Sequence, residues 1–344
     1  MCHVTEDIVG AVRRAMDAAE WQFHIPVGAP VALKPNLCWD YHLPGAQTSP
    51  WVLDAVIEVL KSRTTDILCV EAGQVTVDAQ KALRRCGLHS VLARHGVPFV
   101  DMSHTSFVEH IVPDAMVLRT IAVPELLKNR ILVTLPVMKT HGTTVITGAL
   151  KNQWGCLPEM RHQYHPVVER AIADVNAMLR PGFAVMDATI AMEGDGPKTG
   201  SPRLCDLVLA SADLVALDST AARIMGFDPG TVPHLMFATQ RGLGESAESG
   251  IELRGDPMPA IPGFTAAKKN LVARAEVWLR HSRARRIVFD TPFLSLFALA
   301  ARWYNAAWYV VVGRRRRRQA LSSMYGEFWH RSQGPGINDQ GGSR

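Results

Sequence analysis

The stretch LPVMKTHGTTVITGALKNQWG, Leu135 to Gly155, brings two lysines, a histidine, an asparagine and three glycines into one short segment. Lys139 and His141 directly follow an apolar run. If the extended geometry continues, residues two apart face the same side, so the ammonium and the imidazole point together. Thr143, Thr144, Thr147 and Gly148 then add hydroxyls and closely approachable backbone N–H groups, and Lys151 with Asn152 closes the segment. Such a set suits an anion: lysines supply charge, glycine lets amides come near, and histidine moves a proton near neutral pH. His141, Lys151 and Lys139 are therefore the candidate catalytic groups, with His141 as acid and base and the lysines as electrostatic anchors. The ordinary alternative is two solvated lysines and a turn-capping histidine.

Four further groups extend the candidate site. Lys34 and Asn36 flank Pro35 at the end of the run VALKPNL, where a rigid strand exit could aim an ammonium and an amide at one ligand; Lys-Pro-Asn is equally a strand-ending turn. His165 precedes Pro166, near the start of a helical pattern where anions are favoured. With Asn152, Thr143 and Gly148, these residues are expected to contact an anion or cofactor. Asp187 and Glu193, in MDATIAMEGDGPKTG, could hold a divalent cation from a glycine-rich loop, a pattern that an ordinary turn also shows. Asp213 and Asp218 sit among apolar residues and read as an N-cap or a buried acceptor.

The elements that must position these groups alternate. DILCVEAG and VPFVDMSH read as buried strands, TSPWVLDAVIEVLKS and VDAQKALRRCG as helices, the first opening on Pro50 and the second closed by Gly87. RILVTLPVMKTH, FAVMDATIAME and DLVLASADLVALDSTAARIMG continue the pattern. The expected fold is α/β, a mostly parallel sheet or sheets covered by helices, with ligands at the carboxyl ends of strands. Residues 1–130 form a first α/β portion and 131–264 a second that carries the Lys/His/Asn site. One sheet or two is open at this level. The 47% hydrophobic and 20% charged content is that of ordinary globular material. Six scattered cysteines form no C-x-x-C pair, so no iron–sulfur motif is present and reduced thiols in the cytoplasm are expected.

Residues 265–344 differ. Residues 265–318 carry 13 Lys and Arg against two acids, while 1–264 are net negative. A basic helical tail is expected, with 266–290 a basic helix pattern, Phe293 to Val312 a 20-residue apolar run, Arg314 to Arg318 an arginine run and the end disordered. Arg302 near the centre of the apolar run makes a membrane crossing costly, about 2.5–3.5 kcal/mol on insertion scales. Two readings remain: residues 268–318 lie on an anionic membrane surface, which would place the protein on the inner face of the membrane, or the helix packs on protein. No nucleic-acid-binding fold accompanies the arginines, so nucleic acid is not an expected partner.

The ordered motifs VALKPNL, TSP, VEAG, LPVMKTH, TGALKNQWG, AIADV, VMDATIAMEGDGP and DLVALDSTAARIMG resemble those of the bacterial and archaeal domain-of-unknown-function family 362, over about residues 30–245. Many members carry an appended segment with two four-iron four-sulfur clusters, which implies redox or iron–sulfur biology and a redox partner protein; the cysteine runs of that segment are absent here. His141 to Lys151 is also similar in spacing to the nickel-pincer nucleotide enzymes typified by lactate racemase, in which a lysine carries the cofactor and histidines act on a 2-hydroxy acid. That resemblance implies a metal or nucleotide-type cofactor at Lys151, with Ala149-Leu150 in place of the usual Gly-Gly. The expected function is binding of an anionic small molecule or cofactor, with isomerase-like proton transfer or redox chemistry; the alternative is a non-catalytic accessory of iron–sulfur or membrane-associated redox machinery.

Overall fold

The computed structural model describes residues 1–74, 76–268 and 293–333. Much of the expected 266–290 helix and the expected disordered end lie outside them. Eleven strands are present among the described residues: β1 (Cys2–His3), β2 (Val31–Pro35), β3 (Ile67–Glu71), β4 (Phe99–Asp101), β5 (Phe107–Ile111), β6 (Thr120–Pro124), β7 (Ile131–Leu135), β8 (Val137–His141), β9 (Val145–Thr147), β10 (Phe183–Glu193) and β11 (Ser201–Ser211). Nine of them form one sheet in the order β1-β11-β10-β7-β2-β3-β4, with β8 beside β10 and β9 beside β8. β5 and β6 make a separate antiparallel pair.

The sheet's centre is parallel, as βαβ connections require, and β10–β11, β1–β11 and β8–β9 are antiparallel. β2 runs beside β7 from Val31↔Ile131 to Pro35↔Leu135, so the stretches before and after residue 130 share a single sheet. RILVTLPVMKTH holds two strands: Pro136 has no N–H for the ladder and separates β7 from β8. Both halves nevertheless follow β10, β7 at Phe183 and Ala184 and β8 at Asp187 and Met192. β2 stops opposite Leu135 while β8 runs on, which opens a fork at the carboxyl end of the sheet.

Alternation sorts the side chains between two layers. Val31, Leu33, Val133, Leu135, Phe183 and Val185 face a layer built from α1 (Ile8–Ala18), α2 (Trp21–His24), α3 (Pro50–Leu60), α4 (Ala79–Arg85) and α5 (Leu88–His95). Ala184, Met186, Leu207 and Leu209 face α6 (Ala149–Asn152), α7 (Val168–Leu179), α8 (Leu214–Ile224) and α9 (Pro233–Gln240). α1 places Ile8, Ala11, Val12, Ala15 and Met16 on one buried stripe, and Asp7 caps it by accepting from Gly10 N at 2.7 Å. Pro50 opens α3 with the fixed φ that suits a first turn.

The tail joins the first layer. Tyr325, Phe328 and Trp329 are buried in its core, and Tyr325 Oη donates to Asp206 Oδ1 at 2.8 Å. Trp308 and Tyr309 pack on Trp39 and Tyr41. No helix among the described residues is long and apolar enough to cross a membrane.

Candidate functional site

A cavity of about 230 Å3 lies at the carboxyl ends of β2, β3 and β8. Lys34, Asn36, Lys139, His141, Lys151, Asn152 and His165, all singled out from the sequence, line it. So do Cys38, Glu71, Thr147, Arg161 and Lys198.

A directed run of hydrogen bonds fixes the wall. Lys139 Nζ, fully buried, donates to Asn36 Oδ1 at 2.9 Å and Ala46 O at 2.6 Å; Asn36 Nδ2 donates to Asn152 Oδ1 at 3.0 Å; Asn152 Nδ2 donates to Thr134 Oγ1 at 2.7 Å and Lys34 O at 3.2 Å. Each amide is thereby oriented by its neighbours, and β2, β7, β8 and α6 are tied at one point. Asn36 N also donates to Thr48 Oγ1, which donates to Leu135 O. Burial lowers the pKa of Lys139, whose Nζ lies 3.4 Å from Cys38 Sγ.

Lys34 forms a buried ion pair with Glu71. Burial pushes the Glu71 carboxyl up, against the pull of Lys34 and then Arg161. Arg161 itself donates to the carbonyls of Leu157 and Gly73, at 3.0 and 2.8 Å. A Cβ at Gly155 would stand 2.6 Å from Glu71 Oε1 and 2.7 Å from Lys34 Nζ, so only glycine lets the chain after α6 lie against the pair.

His141 is held by its own loop. Its Nδ1 accepts from Thr143 N at 3.0 Å and Thr144 N at 3.2 Å, which puts the ring proton on Nε2. Burial, then Lys151 and Lys139, hold its pKa well below the usual histidine value, so the ring is neutral at pH 7. Thr143 thus serves through its backbone. Lys151, the third residue of α6, makes no hydrogen bond or ion pair among the described residues, and burial together with Lys139 lowers it to about 8. Thr147 Oγ1 and Trp154 Nε1, both buried on the cavity wall, have no hydrogen-bond partner among the described residues. His165 stacks on Trp154.

α6 owes its position to Asp218. That carboxylate, buried on α8, accepts from Ala149 N at 2.6 Å and Leu150 N at 2.9 Å, capping a helix from outside its own segment. Gly148 contributes by absence of bulk: a Cβ there would lie 2.1 Å from Asp218 Oδ1. Asp213 takes the N-cap of α8 itself. Burial raises the Asp218 carboxyl to about 7. A carboxyl raised in the folded state binds protons there that the unfolded chain has released, so this group's contribution to stability falls as pH rises from the ordinary carboxylate range to about 7. Asp218→Asn turns an amide donor toward two N–H groups and is expected to cost about 1–3 kcal/mol, with that pH slope removed; urea unfolding at pH 5 and pH 8 checks both.

Asp187 and Glu193 do not join the cavity or each other. Asp187 accepts from Ser49 N, Thr189 N and Thr189 Oγ1, and Glu193 pairs with Arg203 at 2.7 Å and accepts from Thr265 N. Six positions apart on one strand, both carboxylates are consumed by local structure instead of a cation. Among the described residues no group of three His, Cys, Asp or Glu is placed to hold a metal ion.

Sequence reasoning missed Lys198, whose Nζ lies 3.4 Å from Thr76 Oγ1, Cys38, and His234, buried on α9 and lowered to about 3 by burial and then Lys151. Glu71, at the end of the apolar run DILCVE, has no sequence signal that ties it to Lys34.

The fold and site define an α/β protein with a cationic cavity at the carboxyl edge of a mostly parallel sheet. The chain belongs to the family described as Domain of unknown function (DUF362), whose model matches residues 31–223. A thylakoid-associated protein of Synechocystis sp. is 30% identical over 125 residues, covering 34% of this chain and 39% of that protein. The chain therefore matches well under half the length of this curated relative. Among solved structures, the lactate racemase apoprotein of Thermoanaerobacterium thermosaccharolyticum shares 11% identity at a TM-score of 0.42, over 70% of this chain and 56% of that one. A Thermotoga maritima structural-genomics protein shares 12% at 0.39, over 70% and 59%.

Proposed function

We propose that the cavity binds a small anionic molecule and that His141 and Lys151 manage a proton on it. The observation that carries this reading is the imbalance of the wall: among the described residues, Lys139, Lys151, Lys198, Arg161 and two histidines surround a space whose one carboxylate, Glu71, is already paired with Lys34. The orphan donors of Thr147 and Trp154 ask for an acceptor in the same place. A carboxylate or phosphate supplies the missing charge and the missing acceptor together.

The roles divide differently from the spacing-based expectation. His141 carries its proton on Nε2 and is neutral, so it donates a hydrogen bond to developing negative charge; a neutral imidazole gives up that proton only at great cost. Lys151, lowered to about 8, exists partly as the free amine near neutral pH and is the group able to accept a proton. Lys139 stays an anchor, fixed by Asn36 and Ala46.

Calorimetry with inorganic phosphate, 2-hydroxy carboxylates and phosphate monoesters tests the reading. Lys151 is cationic below about 8, so affinity for the anion is expected to weaken about tenfold as pH rises from 7 to 9.5, one charged hydrogen bond being lost. No binding by any of these anions, or binding unchanged by Lys151→Met, overturns it.

A further inference from the structure

Independently of the cavity, we propose that the helical run from Leu299 to Arg318 docks the protein flat on an anionic lipid bilayer. Helix Phe293–Trp308 continues through a π-helical turn, Tyr309–Gly313, into helix Arg314–Ala320 with right-handed helical dihedrals at both junctions. Its inner side is engaged. Trp308 and Tyr309 pack on Trp39 and Tyr41, Tyr309 Oη donates to His42 O at 2.9 Å, and Arg316 donates to Thr199 O and Gly200 O at 3.0 and 2.9 Å. The run is thus fixed to the body, and the face it leaves outward is set by that packing.

That outward face is apolar at one end and cationic at the other. Leu299, Trp303, Tyr304, Val310 and Val311 recur at helical spacing and are exposed, Trp303 by 69% and Val311 by 77%. Arg314, Arg315 and Arg318 continue the stripe, exposed and without an ion pair among the described residues. Residues 293–326 contain no acid at all. An exposed apolar stripe of this extent needs a partner, and its chemistry selects one. Aromatic rings beside aliphatic side chains settle at headgroup depth, and the arginines meet lipid phosphates at the same level. Since its inner side is held by the body and Arg302 interrupts its apolar stretch, the run lies in the plane of the surface.

The test is flotation of the full chain with vesicles of phosphatidylcholine alone and of phosphatidylcholine mixed with phosphatidylglycerol. Flotation is expected only with the anionic vesicles and is lost at high salt. Each basic residue near such a surface contributes about fivefold, so Arg314→Glu/Arg315→Glu/Arg318→Glu is expected to lower partitioning by roughly 100-fold or more, with an unchanged thermal midpoint because the three side chains are exposed. Acyl-brominated lipid in the anionic vesicles should quench tryptophan emission in the wild type and much less in Trp303→Phe, a readout that needs no charge variant. Equal flotation with neutral vesicles, no flotation with anionic ones, undiminished flotation of the arginine variant, or self-association through this face in place of lipid binding overturns the proposal.

Discussion

Replacing Lys34 by Met while Glu71 stays is expected to destabilise the protein by about 3–5 kcal/mol, the cost of leaving one member of a buried ion pair without its partner. Both groups are almost inaccessible, at 1% and 3% exposure. Arg161 cannot take over, because its guanidinium is committed to the carbonyls of Leu157 and Gly73. The thermal midpoint should fall by roughly 10 °C for a chain of this size. Glu71 would then respond to pH. Its carboxyl is already raised by burial, and without Lys34 it rises further, so the variant's stability falls as pH climbs above the ordinary carboxylate range, where the unfolded chain has ionised and the folded one resists. Removing both charges in Lys34→Met/Glu71→Leu should recover most of the loss, since apolar replacements of similar size are often neutral. Urea unfolding of the two single variants and the double variant closes the cycle. A double variant as unstable as the singles would mean that the pair is not what holds this edge together.

Why the pair could not be read from the sequence is instructive. Lys34 and Glu71 each end an apolar run, and that much is visible in VALKPNL and CVEAG. Their meeting depends on β2 and β3 being neighbours in register, Leu33 opposite Cys69, and on Gly155 leaving room. Alternation reports which face a residue takes, not which strand lies beside it. The same limit explains Lys198 and Cys38, which reach the cavity from loops with no periodicity. By contrast, Lys139, His141, Lys151 and Asn152 were legible as a group because they lie within one segment, so local geometry alone brings them close. The Asp187 and Glu193 reading failed for a related reason: a strand of eleven residues carries carboxylates six positions apart far from one another, and the glycines after Glu193 suggested a loop too early. The antiparallel return of β11 on β10 was likewise hidden, because the loop between them spans Gly194 to Gly200 and looks like a cation site as much as a turn.

Lys151→Arg separates charge from proton transfer and decides whether the cavity is catalytic. Arginine stays cationic across the accessible pH range, so anion binding should persist and lose the weakening expected above about 8. It cannot accept a proton. If Lys151 is the base, exchange of the α-hydrogen of a bound 2-hydroxy carboxylate with deuterated solvent, followed by NMR, should fall by about 10²–10⁴-fold in Lys151→Arg. In the wild type the same exchange should rise with pH through about 8, as the free amine accumulates, while binding declines over that interval; the two opposed slopes give a maximum near that value. His141→Phe should also depress exchange, through loss of the Nε2–H donor, and without moving the pH midpoint set by Lys151 beyond the small change from removing a neighbouring imidazole. The combination matters because a binding protein and an enzyme could share every contact described for the wall. Tight anion binding by wild type and Lys151→Arg alike, with no exchange in either, would assign the cavity to recognition alone and leave the neutral histidine as an anion donor; exchange that vanishes only in Lys151→Arg and Lys151→Met would make the lowered amine the reason the site exists.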